Sequence, residues 1–99
     1  MLRRIQGDSM LPTLQPGRLV IATSSFHEII PGKIYIFSHD GLEKIKRAAR
    51  VDETRVYFLG DNLADSTDSR HFGWVSRDQV KAKLLCAGNG WRRKQAVRQ

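Results

Sequence analysis

Turn-forming residues interrupt this chain at short intervals, and the segments between them show little helical periodicity. Pro16-Gly17, Pro31-Gly32 and Asp40-Gly41 are turn pairs, and a strand-like run follows each of them. The predicted strands are 18–23, 33–38, 42–51, 55–59 and 80–86. Short strands with short connections predict an all-β domain, built as a folded sheet or a partly open barrel.

The chain is long enough for one domain only. It has 99 residues, and a chain of this length buries a modest core, so a functional site must lie in a shallow cleft. We expect one domain over residues 1–88 and a basic tail over residues 89–99. The one cysteine, Cys86, ends an apolar run and is predicted to be a buried thiol without a disulfide partner.

The formal net charge of +7 suggests a nucleic-acid partner as one hypothesis. Most of the excess lies at the two ends of the chain, in Arg3, Arg4, Arg92, Arg93, Lys94 and Arg98. Such ends are usually solvated, and they allow weak contact with an anionic membrane surface or an acidic partner. The strand aromatics resemble core residues rather than a base-stacking face, because they alternate with apolar neighbours: Tyr35, Phe37, Tyr57 and Phe58. We therefore predict no nucleic-acid partner.

The sequence contains no apolar stretch near the ~18 residues that a membrane-spanning helix needs. The first residues do not form a signal peptide, because Arg3 and Arg4 are followed by Gln6, Gly7 and Asp8 rather than by an apolar region. These features predict a soluble, cytoplasmic protein, with membrane association the less favoured alternative.

Three polar segments carry the residues capable of chemistry. Residues 7–14 read GDSMLPTL, residues 43–50 read EKIKRAAR and residues 60–73 read GDNLADSTDSRHFG. Singly, each has an ordinary explanation, because a serine in a Gly/Pro loop is usually a turn residue and strand lysines usually face solvent.

Neither metal chemistry nor a histidine-based site is indicated by the remaining polar residues. The spacing of Asp61, Asp65 and Asp68 does not match a calcium-binding loop, so we expect no metal and no cofactor. The three histidines form no recognisable catalytic triad: His27, His39 and His71.

Taken together and in this order, the three segments resemble the boxes of the type I signal peptidase family. GDSMLPTL resembles the nucleophile box, EKIKRAAR the general-base box and GDNLADSTDSRHFG the third box, and the resemblance extends over about residues 6–86. It implies the fold of the signal-peptidase catalytic core and a serine peptidase with Ser9 as nucleophile and Lys46 as general base. It also implies supporting roles for Ser66, which would orient the lysine, for an Asp68–Arg70 pair that braces the site, and for the flanking residues Arg47 and Met10.

A lysine can act as a general base only when it is neutral, which requires its pKa to fall by several units from about 10.4. Apolar burial does this, and a carboxylate beside Lys46 would oppose it. We therefore expect Asp68 to pair with Arg70, away from Lys46. Because alternate side chains of a strand share a face, Lys44 and Lys46 should point one way, with Ile45 and Arg47 opposite.

Two departures from the family pattern shape the expected function. Larger family members often carry a Ser or Thr oxyanion donor two residues before the nucleophile, whereas this chain has Gly7 there, which leaves the Ser9 N–H as the natural donor. The family's membrane anchor and extra β-domain are not recognisable in these 99 residues, so we expect a form that works without them.

In these features the chain resembles the small soluble proteases that remove the N-terminal propeptide of nickel-containing superoxide dismutase. The implied partner is a precursor protein bound in extended form, with small residues one and three positions before the cut. The alternatives are a truncated or divergent leader peptidase that acts on secreted preproteins, and a self-cleaving repressor-type Ser/Lys domain.

Overall fold

A computed structural model describes residues 1–87. Seven strands form one antiparallel sheet in the order β1-β2-β7-β3-β4-β5-β6. The strands are β1 (Leu2–Arg4), β2 (Leu19–Thr23), β3 (Ile34–His39), β4 (Leu42–Val51), β5 (Arg55–Leu59), β6 (Val75–Ser76) and β7 (Val80–Ala87). One helical turn, α1 (Ser69–Phe72), and two 3₁₀ turns, Leu63–Asp65 and Arg77–Gln79, interrupt the connections. The all-β prediction is confirmed, and β1 and β6 are edges that leave the sheet unclosed.

The predicted strands agree with the observed ones closely. The ranges 42–51 and 55–59 coincide with β4 and β5. The predictions for β2 and β7 differ by one residue at one end, and the prediction for β3 is shifted by one residue at both ends. The edge strands β1 and β6 were not predicted, because three and two residues respectively are too few to show an alternating pattern.

The sheet packs apolar residues on both faces. Tyr35, Phe37 and Phe58 have no exposed surface, and the rings of Phe37 and Phe58 stack with centroids 3.9 Å apart. A second cluster joins the segment before β2 to the sheet and consists of Ile5, Met10, Leu14, Val20 and Ile34. The interpretation of Tyr35, Phe37 and Phe58 as core is confirmed, and this packing determines which side of β4 is buried.

The prediction for Cys86 is wrong. Cys86 is exposed, because it lies opposite Ile21 on β2, and Ile21 is itself 47% exposed on an uncovered part of the sheet. Residues 88–99, which include the predicted basic tail and the last residue of the predicted domain, lie outside the described part of the chain. Within residues 1–87, no helix is long and apolar enough to cross a membrane.

Candidate active site

The first polar segment is anchored by two buried residues that follow Ser9. Gly7 has a left-handed φ of +77°, which a glycine adopts without steric cost. Backbone bonds from Leu11 N–H to Asp8 (3.1 Å) and from Leu14 N–H to Met10 (2.9 Å) form turns after it. Met10 and Leu14 are each 2% exposed, so the apolar core fixes the loop while Ser9 stays partly accessible.

Strand β4 brings a lysine to this serine. The Lys46 Nζ lies 2.7 Å from the Ser9 Oγ, although the two residues are 37 positions apart. Lys46 pairs with the buried Tyr35 across the strands, and Lys44 pairs with Phe37 on the same face, as the strand periodicity predicts. Because this face packs into the core, only 7% of Lys46 is exposed.

The environment of Lys46 favours the neutral amine. Burial removes water from the ammonium and is the main cause that lowers its pKa, and the positive charge of Lys44 lowers the pKa further. Asp68 acts in the opposite direction. The net shift is downward, which is the condition that a lysine base requires.

The third segment folds around Asp68, which is fully buried. The carboxylate accepts hydrogen bonds from the Gly60 N–H (3.0 Å), the Ser66 hydroxyl (2.8 Å) and the Arg70 guanidinium (2.9 Å). Burial alone would raise the pKa of Asp68, but these bonds outweigh it and hold the pKa well below its usual range. The expected Asp68–Arg70 pair is therefore present.

Two details differ from the expected arrangement. The Ser66 hydroxyl donates to Asp68, and among the hydrogen bonds of the described residues the Lys46 ammonium bonds to Ser9 and not to Ser66. Asp68 is also close enough to Lys46 to raise its pKa, so it is not isolated from the base. The first difference follows from the short Ser66–Asp68 spacing, which lets the serine hydroxyl turn toward the stronger, charged acceptor.

Arg47 points away from Lys46 and forms a second brace. Its guanidinium binds Asp61 through two hydrogen bonds of 2.8 and 2.6 Å, and Thr13 donates to the same carboxylate. The Asp61 N–H also points at the Met10 sulfur, 3.4 Å away. Arg47 thus connects the second segment to the third, and Met10 connects the first segment to the third. Among the hydrogen bonds of the described residues, the Ser9 hydroxyl bonds to neither of them.

An open cleft of about 300 Å³ leads to Ser9 and Lys46. Residues 4–6 line one wall and residues 43–46 the other. Both walls have unpaired strand edges: β1 pairs with β2 alone, and β5 pairs with β4 only from Arg47 onward. The described part of the chain offers no strand between these edges, so their free N–H and C=O groups can bind an extended peptide.

Comparison with known proteins places this arrangement in a family. Residues 1–72 match the model of the Peptidase S24-like family. The chain belongs to the Peptidase S24-like family. A signal peptidase I from Bacillus caldolyticus is 42% identical over 43 residues, which are 43% of this chain and 24% of that protein. The match thus spans about a quarter of the relative's length, and the resemblance to signal peptidases holds for this part.

The expected relationship to peptidases is confirmed at the level of the Peptidase S24-like family. Among residues 1–87, no group of three or more His, Cys, Asp or Glu side chains is arranged to hold a metal ion. His71 has a structural contact, because its Nδ1 accepts the Asp68 N–H (3.2 Å) and closes the cap of α1.

Three residues without a catalytic role predicted from the sequence help to hold the loop that carries Ser9. The Asn62 N–H donates to the Ser9 carbonyl (2.8 Å), and the Asn62 side chain donates to the Asp8 carbonyl (3.1 Å). Asp61 holds Thr13. Gly60 is buried beneath both segments. The Gly-Asp-Asn sequence could have indicated this role, because turn-forming residues directly after a strand often form hydrogen bonds to a neighbouring loop.

Gly60→Ala is expected to destabilise the domain and reduce any Ser9-dependent activity. An added Cβ would overlap the Ser66 Oγ and lie 2.7 Å from the Ser9 carbonyl oxygen, so backbone must move. We expect a loss of about 1–3 kcal/mol in the free energy of unfolding, measured by urea denaturation. Gly41→Ala is a control for the loss of a glycine, because a Cβ there meets nothing within 4 Å, although its φ of +78° adds backbone strain. Greater stability in Gly60→Ala than in the wild type would contradict this packing.

Lys44→Gln is expected to move the acidic limb of the pH–activity profile to higher pH. Lys44 lowers the pKa of Lys46 by charge repulsion, so its removal lets that pKa rise toward 10.5 and leaves less neutral amine at a given pH. Lys44→Arg preserves the charge and should leave the limb in place. A shift to lower pH in Lys44→Gln would show that the profile does not report Lys46.

Proposed function

We propose that this chain is a serine endopeptidase that removes an N-terminal leader or propeptide from a precursor protein. The supporting observation is the 2.7 Å contact between Ser9 Oγ and the buried Lys46 Nζ. A hydroxyl becomes an effective nucleophile when a neighbouring base removes its proton. Lys46 meets both requirements for that base, since it lies within hydrogen-bond distance and has a lowered pKa.

In the proposed reaction, Lys46 carries one proton through both halves of the cycle. Neutral Lys46 accepts the Ser9 proton as the Oγ attacks the carbonyl carbon of the substrate, and the resulting ammonium protonates the leaving amine. The same amine then takes a proton from water as the water oxygen attacks the ester on Ser9. The ammonium returns that proton to the Ser9 Oγ when the ester bond breaks, which releases the new carboxyl end and regenerates the neutral lysine and the free serine. Ser66, Asp68 and Arg70 serve as positioning residues that hold the third segment beside the dyad.

The oxyanion of the tetrahedral intermediate would be bound by the Ser9 backbone N–H. Gly7 has no hydroxyl to add a second donor, so the stabilisation available from side chains is smaller than in a site with a Ser or Thr at that position. Removal of one such donor typically costs about 10²–10³-fold in kcat. We therefore expect a slow enzyme whose rate depends on accurate positioning.

The cleft suits a peptide in extended form. Its free strand edges offer backbone bonds that any sequence satisfies, while side chains of alternate residues meet the walls. Beside the dyad, the walls contain Ile5, Met10 and Ile45, which suits a small apolar residue directly before the cut.

For the substrate, we propose the precursor of a nickel-containing superoxide dismutase, processed in the cytoplasm. The test is co-incubation of the purified chain with that precursor, followed by mass spectrometry of the new N-terminus, with Ser9→Ala as the inactive control. A single cut that depends on Ser9 is expected. An intact precursor, together with cleavage of a leader peptide from a secreted preprotein, would refute this substrate and favour the leader-peptidase alternative.

A self-cleaving repressor-type activity is the other alternative, because such domains also use a Ser/Lys pair. Incubating the chain alone at raised pH separates the two. Self-cleavage that Ser9→Ala abolishes would favour the alternative, whereas an intact chain that cuts an added peptide supports the endopeptidase.

A further inference from the structure

The aromatic ring of Phe72 lies where the third polar segment meets strands β3 and β4. It packs against the apolar cluster that contains Phe37 and Phe58. It also stacks on the imidazole of His39, with the ring centroids 4.1 Å apart and the planes inclined by 23°. The Lys44 Nζ lies over the same ring, 5.7 Å from its centroid, which is within the range of a cation–π contact. One ring thus joins α1 to His39 of β3 and Lys44 of β4.

The helical turn α1 holds this ring in place. The Phe72 N–H donates to the Asp68 carbonyl (3.1 Å), and the buried Ser69 hydroxyl accepts the Phe58 N–H of β5 (2.8 Å). The turn is therefore bonded to the sheet while the ring is packed on the core. A lysine side chain has a long flexible stem, so in the contact between Phe72 and Lys44 the ring is the fixed partner and the ammonium is the group that becomes ordered.

The position of the Lys44 ammonium matters because of the residue two places along the strand. Lys44 and Lys46 share a face of β4, and Lys44 is only half-buried, so its stem could carry the ammonium out into solvent. Phe72 opposes this, because its ring lies one helical turn from Asp68, a residue close enough to Lys46 to influence its charge. The ring thus keeps the Lys44 ammonium on the side of β4 where the base lies.

Charged or titratable groups from several elements surround this site: Lys44 and Glu43 from β4, Arg4 from β1, His39 from β3 and Asp68 from the third segment. Two of them act on the pKa of Lys46 in opposite directions, since Lys44 lowers it and Asp68 raises it. Hydrogen bonds from Gly60, Ser66 and Arg70 hold the Asp68 carboxylate in place. Lys44 is therefore the charge whose distance from Lys46 depends on a side-chain contact.

We propose that Phe72 is a positioning residue that holds the Lys44 ammonium beside Lys46 and so helps to keep Lys46 in its neutral form. The inference rests on the proposed function, in which neutral Lys46 is the general base. Without the ring, Lys44 would sample conformers further from Lys46, and the repulsion between the two ammonium groups would weaken with distance. The pKa of Lys46 would then rise, and less neutral amine would be present at a given pH.

The test is Phe72→Leu, which keeps an apolar side chain on the core and removes the ring. The titration of Lys46 is followed by NMR of lysine labelled with ¹³C at Cε, and the Lys46 signal is identified by its loss in Lys46→Arg. We expect the midpoint to rise and kcat/KM on the acidic limb to fall by about twofold. In a Lys44→Gln background, Phe72→Leu should cause no further change, because the charge that the ring positions is absent.

Matched variants separate positioning from loosened packing. Phe72→Tyr keeps the ring and should restore the wild-type midpoint. Phe26→Leu removes another ring that packs against the same cluster and lies beside Tyr35, and it should leave the midpoint in place. His39→Phe removes the titratable neighbour but keeps a stacked ring, and it should also leave the midpoint in place. If urea denaturation shows that Phe72→Leu is unfolded, Phe72→Met allows the same comparison. An unmoved midpoint without the ring, or an equal shift with and without Lys44, would overturn the proposal.

The NMR titration needs no substrate, so failure of this inference can be distinguished from failure of the proposed function. A midpoint that rises in Phe72→Leu only when Lys44 is present, in a chain that cleaves no peptide, would refute the endopeptidase and keep the positioning role of Phe72. Cleavage that depends on Ser9, with the same acidic limb in Phe72→Leu as in the wild type, would refute the positioning role alone.

Discussion

Lys46→Arg is expected to abolish cleavage as completely as Ser9→Ala, with a loss of at least about 10³-fold in kcat/KM. Arginine keeps the positive charge and the length needed to reach Ser9, but its pKa lies far above that of lysine and it does not release its proton near neutral pH. The variant therefore tests whether Lys46 acts as a base or only as a hydrogen-bond donor. The measurement is the rate of cleavage of a peptide substrate from about pH 7 to 10.

The matched control is Lys44→Arg, the same substitution two residues earlier on the same face of β4. It preserves the charge that lowers the pKa of Lys46, so it should retain most of the activity. The double variant Ser9→Ala/Lys46→Arg should be no slower than either single variant, because the two residues act as one unit. Activity in Lys46→Arg within tenfold of the wild type would show that another group removes the Ser9 proton.

Lys46→Met separates catalysis from stability. The side chain has a similar length and carries no charge, so it fills the same space without the cost of burying an amine. We expect no cleavage and a free energy of unfolding equal to or above that of the wild type below pH 10. A large loss of stability would indicate that the ammonium supports the fold, which would weaken its assignment as a base kept neutral by burial.

The sequence was sufficient for the fold class and for five of the seven described strands, because the turn residues mark where strands end. Asp40-Gly41 and the turn after Val51 delimit β4 on both sides, and Asp40 and Gly41 both adopt positive φ. β1 was missed because its three residues gain strand geometry only by pairing with β2. Cys86 was misjudged because an apolar run does not reveal which face of a sheet remains uncovered.

The sequence predicted which residues form the candidate site but not which hydrogen bonds join them. The order of the three segments pointed to Ser9 and Lys46, and the structure brings them within 2.7 Å. Whether the Ser66 hydroxyl bonds to Lys46 or to Asp68 depends on the directions of the side chains, which sequence spacing does not determine. The Asn62 contacts with Asp8 and Ser9 were missed for a similar reason, since they join segments more than 50 residues apart.

Asp68→Asn is expected to be the most destabilising single change in the third segment. The carboxylate is fully buried and accepts bonds from the Gly60 N–H, the Ser66 hydroxyl and Arg70. An asparagine amide would turn an NH₂ group toward at least one of these donors and leave buried groups unsatisfied. We expect a loss of about 3 kcal/mol in the free energy of unfolding, and a fall in Tm of about 15 °C for a domain of this size.

The pH dependence of the free energy of unfolding gives an independent measure of how much ionised Asp68 stabilises the fold. Its pKa is lowered in the folded state, so between that pKa and the unfolded value of about 3.9 the unfolded chain binds more protons. Its contribution is therefore complete above about pH 4 and is lost as the pH falls through the folded pKa. In Asp68→Asn, the acid limb of the stability curve should become flatter.

Asp65→Asn is the matched control, because Asp65 is exposed in the same loop and bonds only weakly to Asn62 (3.4 Å). It should change the free energy of unfolding by less than about 0.5 kcal/mol. Asp68 also raises the pKa of Lys46, so any activity left in Asp68→Asn should have its acidic limb at lower pH, opposite to Lys44→Gln. Equal stability of the two aspartate variants would show that Asp68 does not brace the site, and an unmoved acidic limb would show that it does not influence Lys46.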